Sequence, residues 1–442
     1  MLGPLRVQTS TQAVAVPIVY GTTRVNCNVI WYNDLGTSGI SSTDGGAFTG
    51  KGGLNSGVKA ANTTTYSTAV ALGLCEGPIA GIGQVWASKT TGTTASYNFT
   101  TYTGAAGQTP FGYITTYHPD QALAYAGTAY VVTGNYYLGS TTDLPTHSFE
   151  VQGIYCNAVA GSPDANPALV IADFLTNPIY GCGLATAQLG DFTQFSNYCV
   201  ATGLLLSPVF DAQQAAQTYL TSLLQLANAA LIWSAGTLKI VPYGDTPITG
   251  NGVTFTPNLT PVFYLTDDDF LEQPDGPVTL SRSAPADLSN HVQLEFLHRA
   301  NQYNVAVIDV KDQASIAQVG LLPATPIQAH AICDINVAAL VAQLILQREV
   351  YSRNTYQFRL GWRYCALEPM DIVAITDTAL GLNAAPVRIL SVEEDAQGTL
   401  TMTAEDLNPG IAAPNLYVKQ GAVVLADTVG ANVDPGTVMY PE

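Results

Sequence analysis

Charge is what this sequence has least of. Only 11% of its 442 residues are Asp, Glu, Lys or Arg, and 33 acidic against 15 basic residues leave a net charge of −18. No cluster of Lys and Arg is long enough to track a phosphate backbone, which disfavours duplex or single-stranded nucleic acid as a bound partner. An acidic wall stays compatible with DNA passing by without adhering. The seven cysteines (Cys27, Cys75, Cys156, Cys182, Cys199, Cys333 and Cys365) are odd in number and include no C-x-x-C pair. They read as buried, reduced thiols from cytosolic folding rather than as metal ligands or disulfides. The first residues lack a basic region followed by an apolar run, so no secretory signal is expected. No apolar run reaches the ~18 residues of a membrane span. The best, 223–233, is broken by Gln225 and Asn228, and no membrane insertion by this chain is expected.

Catalytic signatures are equally scarce. The sequence has no Gly-x-Ser-x-Gly elbow, no phosphate-cradling glycine loop and no zinc spacing that survives its context. Glu76 is a turn carboxylate without a second positioned group for acid–base work. The run Asp267 to Asp269 lacks the alternating ligands and turn glycine of a calcium loop. His118 and His147 read as isolated loop residues, and His291 and His298, seven apart on a strand, fall on opposite faces rather than forming a ligand pair. We expect no enzyme and assign no catalytic, cofactor-binding or metal-binding residue. Paired carboxylates of a cell-wall hydrolase meet only in three dimensions and stay open as a less favoured reading. A carbohydrate-binding module is the other alternative, suggested by 23 tyrosines.

What the chain has in abundance is apolar residues, at 47%, with many Gly, Thr, Ser, Tyr and Val. Such a mixture suits pleated sheets with tight turns, and a sparsely charged surface suits a protein covered by neighbours. The length fits several domains. Ala13 to Trp31 alternates on either side of Gly21 and reads as a hairpin. Residues 36–65 are low-complexity Gly/Ser/Thr sequence, expected as a flexible insertion. Leu74 to Ile82 turns at Gly77-Pro78 between two strands, and 89–153 continues with short strands. From Asn166 to Gly203 the pattern is helix, tight turn, helix: Pro167 suits the first helical turn, Asn177-Pro178 stops it, and Asp191 is the expected cap of the second. Asp211 and Gln214 form a capping box for a longer helix running through Leu231, followed by a strand through Gly236. Val292, Leu294 and Phe296 share one strand face. Asp334 caps a helix over 334–352, and 386–393 pairs with 399–406 across 395–398.

Six of these stretches, in this order, carry a resemblance. They are Val16 to Val25, Leu74 to Ile82, Phe174 to Leu184 (Phe-Leu-Thr-Asn-Pro-Ile-Tyr-Gly-Cys-Gly-Leu), Trp233 to Pro242, Asn290 to Tyr303 and Leu367 to Asp377. Together they resemble the hub, or tail-tip, proteins of tailed bacteriophages, the lambda-type and gene-transfer-agent family. Met370 stands where that family usually has glycine, which puts the turn type in question. The resemblance implies a structural virion protein, assembled in the host cytoplasm and seated at the tail tip. It implies a homotrimer whose two tube-like domains per chain match the hexameric tube to the trimeric tip, gating the DNA channel. The implied partners are the distal tail protein or tail tube, the tape measure protein, a tail fibre or central tip protein, and DNA that passes without specific binding.

The expected fold is therefore α+β and β-rich, multidomain, with tube-like barrel or sandwich domains, a helical hairpin and two longer helices. The expected divisions are a β-rich 1–165 with its insertion 36–65, an α/β 166–245, and a second β-rich 246–408 carrying the helix 334–352. Beyond these, 409–442 is expected as an extended arm. Because the chain stops after the hub region, receptor recognition is expected of another protein docked through that arm. Deleting the arm without loss of fibre attachment would contradict this.

Overall fold

The structure, a computed structural model, describes residues 6–7, 15–40, 63–274, 276–284, 287–407 and 410. It is mixed α+β and strand-rich, and no sheet closes into a barrel among the described residues. The arm 409–442, apart from residue 410, and residues 41–62 of the expected insertion lie outside the described residues.

The first unit stacks two four-stranded antiparallel sheets. One runs in the order Thr22–Asn26, His147–Gln152, Gly81–Ala87, Thr90–Gly92, and the other Asn28–Ile40, Thr63–Glu76, Thr128–Gly139, Thr100–Thr103. Val25, Val85, Phe149 and Val151 of the first meet Val70, Leu72, Leu74 and Val131 of the second in one core. A short helix, α1 (Gly112–Tyr117), follows the strand Thr100–Thr103.

Two expectations for this unit fail. Ala13 to Trp31 is not a hairpin: Ile18–Val19 pairs with Val209–Phe210, Thr22–Asn26 with His147–Gln152, and Asn28–Ile40 with Thr63–Glu76. Alternation identifies a strand but says nothing of its partner. Gly21, at φ +63°, sends the chain from one sheet to the next, and a Cβ there would sit 3.0 Å from the Ala165 nitrogen and 3.1 Å from the Leu206 oxygen. Nor is 36–65 a loop at its ends, because the ladder continues to Ile40 opposite Thr63. Thr, β-branched, has the strand propensity that low complexity hides.

The second unit gathers five described α-helices, two hairpins and a small sheet, with four of these helices packed into the largest core. Helix α2 (Pro167–Thr176) starts with Asn166 accepting from the Ala168 N–H, and α3 is Thr193–Thr202. The N-cap of α3 is Phe192, whose carbonyl accepts from the Ser196 N–H and which has no side-chain cap, while the expected cap Asp191 sits one residue earlier and accepts from the Thr193 N–H at 2.8 Å. Helix α4 is Ala216–Leu226. The expected capping box is not used, since α4 starts after Ala215 without a side-chain cap. The helix also stops short of Leu231: Asn228, at φ +50°, turns the chain into the hairpin Ala229–Ser234 and Thr237–Pro242. Asn tolerates that left-handed angle better than most residues.

The three-stranded sheet follows the order Asn304–Lys311, His291–His298, Ile327–Gln328. As expected, Val292, Leu294 and Phe296 share its buried face. Helix α5 (Gln313–Val319), which sequence reasoning missed, joins its strands. Helix α6 (Ile335–Tyr351), capped by Asp334 as expected, packs Val337, Leu340, Val341 and Leu344 into the core behind it.

The last unit is a six-stranded sheet ordered Phe263–Leu265, Ile372–Asp377, Leu382–Glu394, Leu400–Asp406, Asn354–Leu360, Val278–Arg282. The first pair is parallel and the rest antiparallel. Segment 291–346 leaves this sheet and packs with α2 to α4, while Ile18 and Tyr20 from the N-terminal part join the same core.

Candidate functional site at the joints between units

The stretches that carry the resemblance are far apart in sequence and meet in space where the units join. Around Tyr20 to Arg24 four of them touch. The Tyr20 hydroxyl donates to Asp173 Oδ2 at 2.6 Å, and Tyr180 donates to the same oxygen at 2.8 Å. Burial raises the Tyr20 pKa and the Asp173 carboxylate raises it further, so both hydroxyls keep their protons and hold α2 to the strand before it. The turn of that segment is tight: a Cβ on Gly181 would lie 2.2 Å from the Phe174 oxygen. Glu76 donates its N–H to the Pro17 carbonyl at 2.8 Å, and its half-buried carboxyl is pushed up by desolvation.

The fourth segment contributes Arg299. Its guanidinium spans both oxygens of Asp164, 3.2 Å to Oδ2 and closer still to Oδ1, and donates to the Thr22 carbonyl at 3.0 Å. Asp164 is 3% exposed and also accepts from Ser207 Oγ at 2.5 Å, while Ser207 accepts from the Thr22 N–H at 3.0 Å. Burial alone would lower the Arg299 pKa, and the adjacent carboxylate more than reverses this. Arg299 Nε donates to the Tyr303 hydroxyl at 3.2 Å, which donates to Glu150 at 2.7 Å. Arg24 crosses the same seam, reaching Ser148 Oγ at 2.8 Å and the Gln302 carbonyl at 3.1 Å with its guanidinium 4.4 Å from the Trp86 ring centre. Forked donors suit carboxylate and carbonyl pairs that a lysine could not span.

A second joint ties the last sheet to the middle unit. Glu368 accepts from Ser234 Oγ at 2.6 Å, and Lys239 Nζ stands 3.6 Å from its other oxygen. Arg348 and Arg388 flank the Tyr243 ring at 3.6 and 5.2 Å, each 3.6 Å from Glu405. Met370 takes φ +72°, the left-handed conformation that glycine would hold without strain, and its N–H donates to the Ile389 carbonyl at 2.7 Å.

The remaining residues weighed from sequence serve local structure. Asp269 accepts from the Thr266 N–H and the Tyr364 hydroxyl, and Asp267 from Thr378. His118 and His147 are not isolated: His118 lies 2.7 Å from Asp34, and buried His147 lies 2.8 Å from the Tyr136 hydroxyl. His291 is buried beside Asp309, while His298 is half-buried. All seven cysteines are free thiols, but Cys182 and Cys365 are exposed, contrary to expectation. Sequence reasoning missed Asp164, Ser207 and Glu150, whose partners lie more than 40 residues away. A cleft of about 790 Å³ opens beside the first joint, lined by Val16, Cys27, Leu74, Phe210, Leu223 and Leu297. No described helix is long and apolar enough to cross a membrane.

A family model described as "Putative phage tail protein" matches residues 215–392. Among solved structures, a chain of the virion of a native gene transfer agent particle is similar over 95% of this chain and 90% of its own. It is 20% identical, with a TM-score of 0.63. The 43 kDa tail protein of prophage MuSo2 from Shewanella oneidensis covers 75% of this chain and 95% of its own at 16% identity and TM-score 0.35. A tail protein from Neisseria meningitidis covers 90% and 98% at 10% identity and TM-score 0.34. No curated protein matches. The family match covers well under half of the chain, and the likeness to the virion chain shows a shared fold.

Proposed function

We propose that this chain is the tail hub: a trimeric adaptor at the distal end of the tail tube that forms and gates the channel through which DNA leaves. The observation that carries the proposal is the meeting of the signature stretches at the joints. Residues recurring in one order across most of the chain hold the relative placement of three units, which is what an adaptor must keep fixed. Its contribution is mechanical rather than catalytic. The distal tail protein or tube and the tape measure would bear on one side, and a fibre or central tip protein on the other.

Two further features support the reading. A net charge of −18 suits a channel wall that repels DNA. Apolar side chains also stand exposed, among them Ile179 (81% exposed), Val305, Val307 and Trp362. Ile179 lies inside the signature turn, where its backbone is fixed by Asn177 Oδ1 accepting from its N–H at 2.9 Å. Such a residue packs nothing in its own chain and is suited to a neighbour. Ile179→Asp should leave the melting temperature of the isolated chain unchanged but block its incorporation into tails. Normal, infective tails carrying the variant would refute this assignment.

A further inference from the structure

The outer side of the first unit carries a cluster of aromatic rings that the hub reading does not use. Trp31 on the strand Asn28–Ile40 meets the His118 ring at 5.5 Å, and on α1 Tyr113 and Tyr117 lie 4.8 Å apart at 49°. These rings are fixed, not loose. Tyr113 lies against Gly134, where even a Cβ would come within 2.7 Å of the ring. Its hydroxyl donates to Asp34 Oδ2 at 2.8 Å, the same oxygen that faces His118 Nε2 at 2.7 Å. Trp31 Nε1 donates to Gln121 Oε1 at 2.8 Å. Yet Tyr117 is 66% exposed, and the Asp34 side chain is 39% exposed with both of these bonds on one oxygen, which leaves Oδ1 for an outside donor.

An exposed Tyr117 beside the half-buried Tyr113 and Trp31, with a carboxylate and an amide that face water, matches a ligand with two kinds of surface. Its C–H face would lie on the aromatic face, where the ring quadrupole is negative. Its hydroxyl edge would meet the Asp34 carboxylate, which accepts, and the Gln121 amide, whose NH2 donates. Charge narrows the class further. The sequence has no Lys or Arg between Lys89 and Lys239, and none in the strand Asn28–Ile40. Among the described residues these stretches supply no cation for a phosphorylated or sulfated ligand, which would meet Asp34.

We propose that Trp31, Asp34, Tyr113, Tyr117 and Gln121 form a binding site for a neutral oligosaccharide. The site goes beyond the hub role: it gives this chain its own contact with a glycan at a surface remote from the joints. The test is saturation-transfer NMR on the purified full chain with cellohexaose, chitohexaose and maltohexaose, and with a sulfated hexasaccharide for comparison. Transfer to at least one neutral sugar is expected, weakened about tenfold or more by Tyr117→Ala and untouched by Tyr264→Ala, a tyrosine of equal exposure on the six-stranded sheet. No transfer to any neutral sugar, preference for the sulfated one, or equal loss in both variants would overturn the proposal. Loss of tail incorporation in Tyr117→Ala with no sugar signal from the wild type would also overturn it, and would assign the surface to a protein neighbour.

Discussion

Replacing Arg299 by Met tests the first joint directly. The substitution keeps the length of the side chain and removes its charge, leaving Asp164 in its buried place with Ser207 as a remaining donor and the Thr22 carbonyl without its guanidinium. Breaking a buried pair by removing one partner costs about 3–5 kcal/mol, because the stranded charge keeps its desolvation penalty. Replacing both partners with apolar residues is often close to neutral. Arg299→Met with Asp164→Leu should therefore recover most of the loss, and the double-mutant cycle should show a coupling of about 2 kcal/mol or more. Trp86 is a built-in reporter. It is buried, has the Arg24 guanidinium over its ring, and meets the Tyr303 ring edge-on at 6.2 Å. Urea unfolding followed by Trp86 fluorescence, with the other three tryptophans changed to Phe, reads the seam itself. A single-mutant cost below about 1 kcal/mol, or costs that simply add, would refute the claim that this pair holds the units together.

Other expectations are narrower. Burial lowers the His147 pKa to about 4. Its folded value lies below its unfolded value, so the stability it contributes is present above about pH 6.5 and falls as pH drops toward 4, by about 3 kcal/mol in all. Chemical denaturation across that range should show the slope, and His147→Gln should flatten it. At Met370 the left-handed backbone and the buried side chain oppose each other. Glycine relieves about 1–2 kcal/mol of strain but loses the packing, whereas alanine loses the packing and keeps the strain. Met370→Gly should therefore melt above Met370→Ala, and the reverse order would contradict the turn geometry. Gly181→Ala should destabilise by more than about 2 kcal/mol, since its Cβ collides with backbone oxygens that cannot move aside, and a calorimetric scan would register the drop.

Much of the architecture was legible because local chemistry decides it. Asp334 caps α6, Asn177-Pro178 ends α2, and Ala235 with Gly236 turns one hairpin, all through interactions within a few residues. What failed was pairing over distance. The alternation from Ala13 to Trp31 is real, but its three strands go to three partners, chosen by contacts with residues such as Pro208 and Ile154. The helical spacing that runs on past Leu226 is interrupted by one left-handed Asn, which periodicity does not weigh. The candidate site was legible only as separate stretches. Tyr20, Tyr180, Arg299 and Tyr303 all lay within them and Asp173 one residue before, but that they meet, and that Asp164 lies between them, depends on the fold.

The central claim is that this chain is a threefold hub at the far end of a tail. Electron cryomicroscopy of intact particles, with the chain located by a C-terminal tag, measures this most directly. Three copies around the channel at the distal end, with the Arg299 joint inside each copy and Ile179 covered by a neighbour, is the expected result. A different number of copies, a position along the tube or on the capsid, or absence from the particle would contradict it.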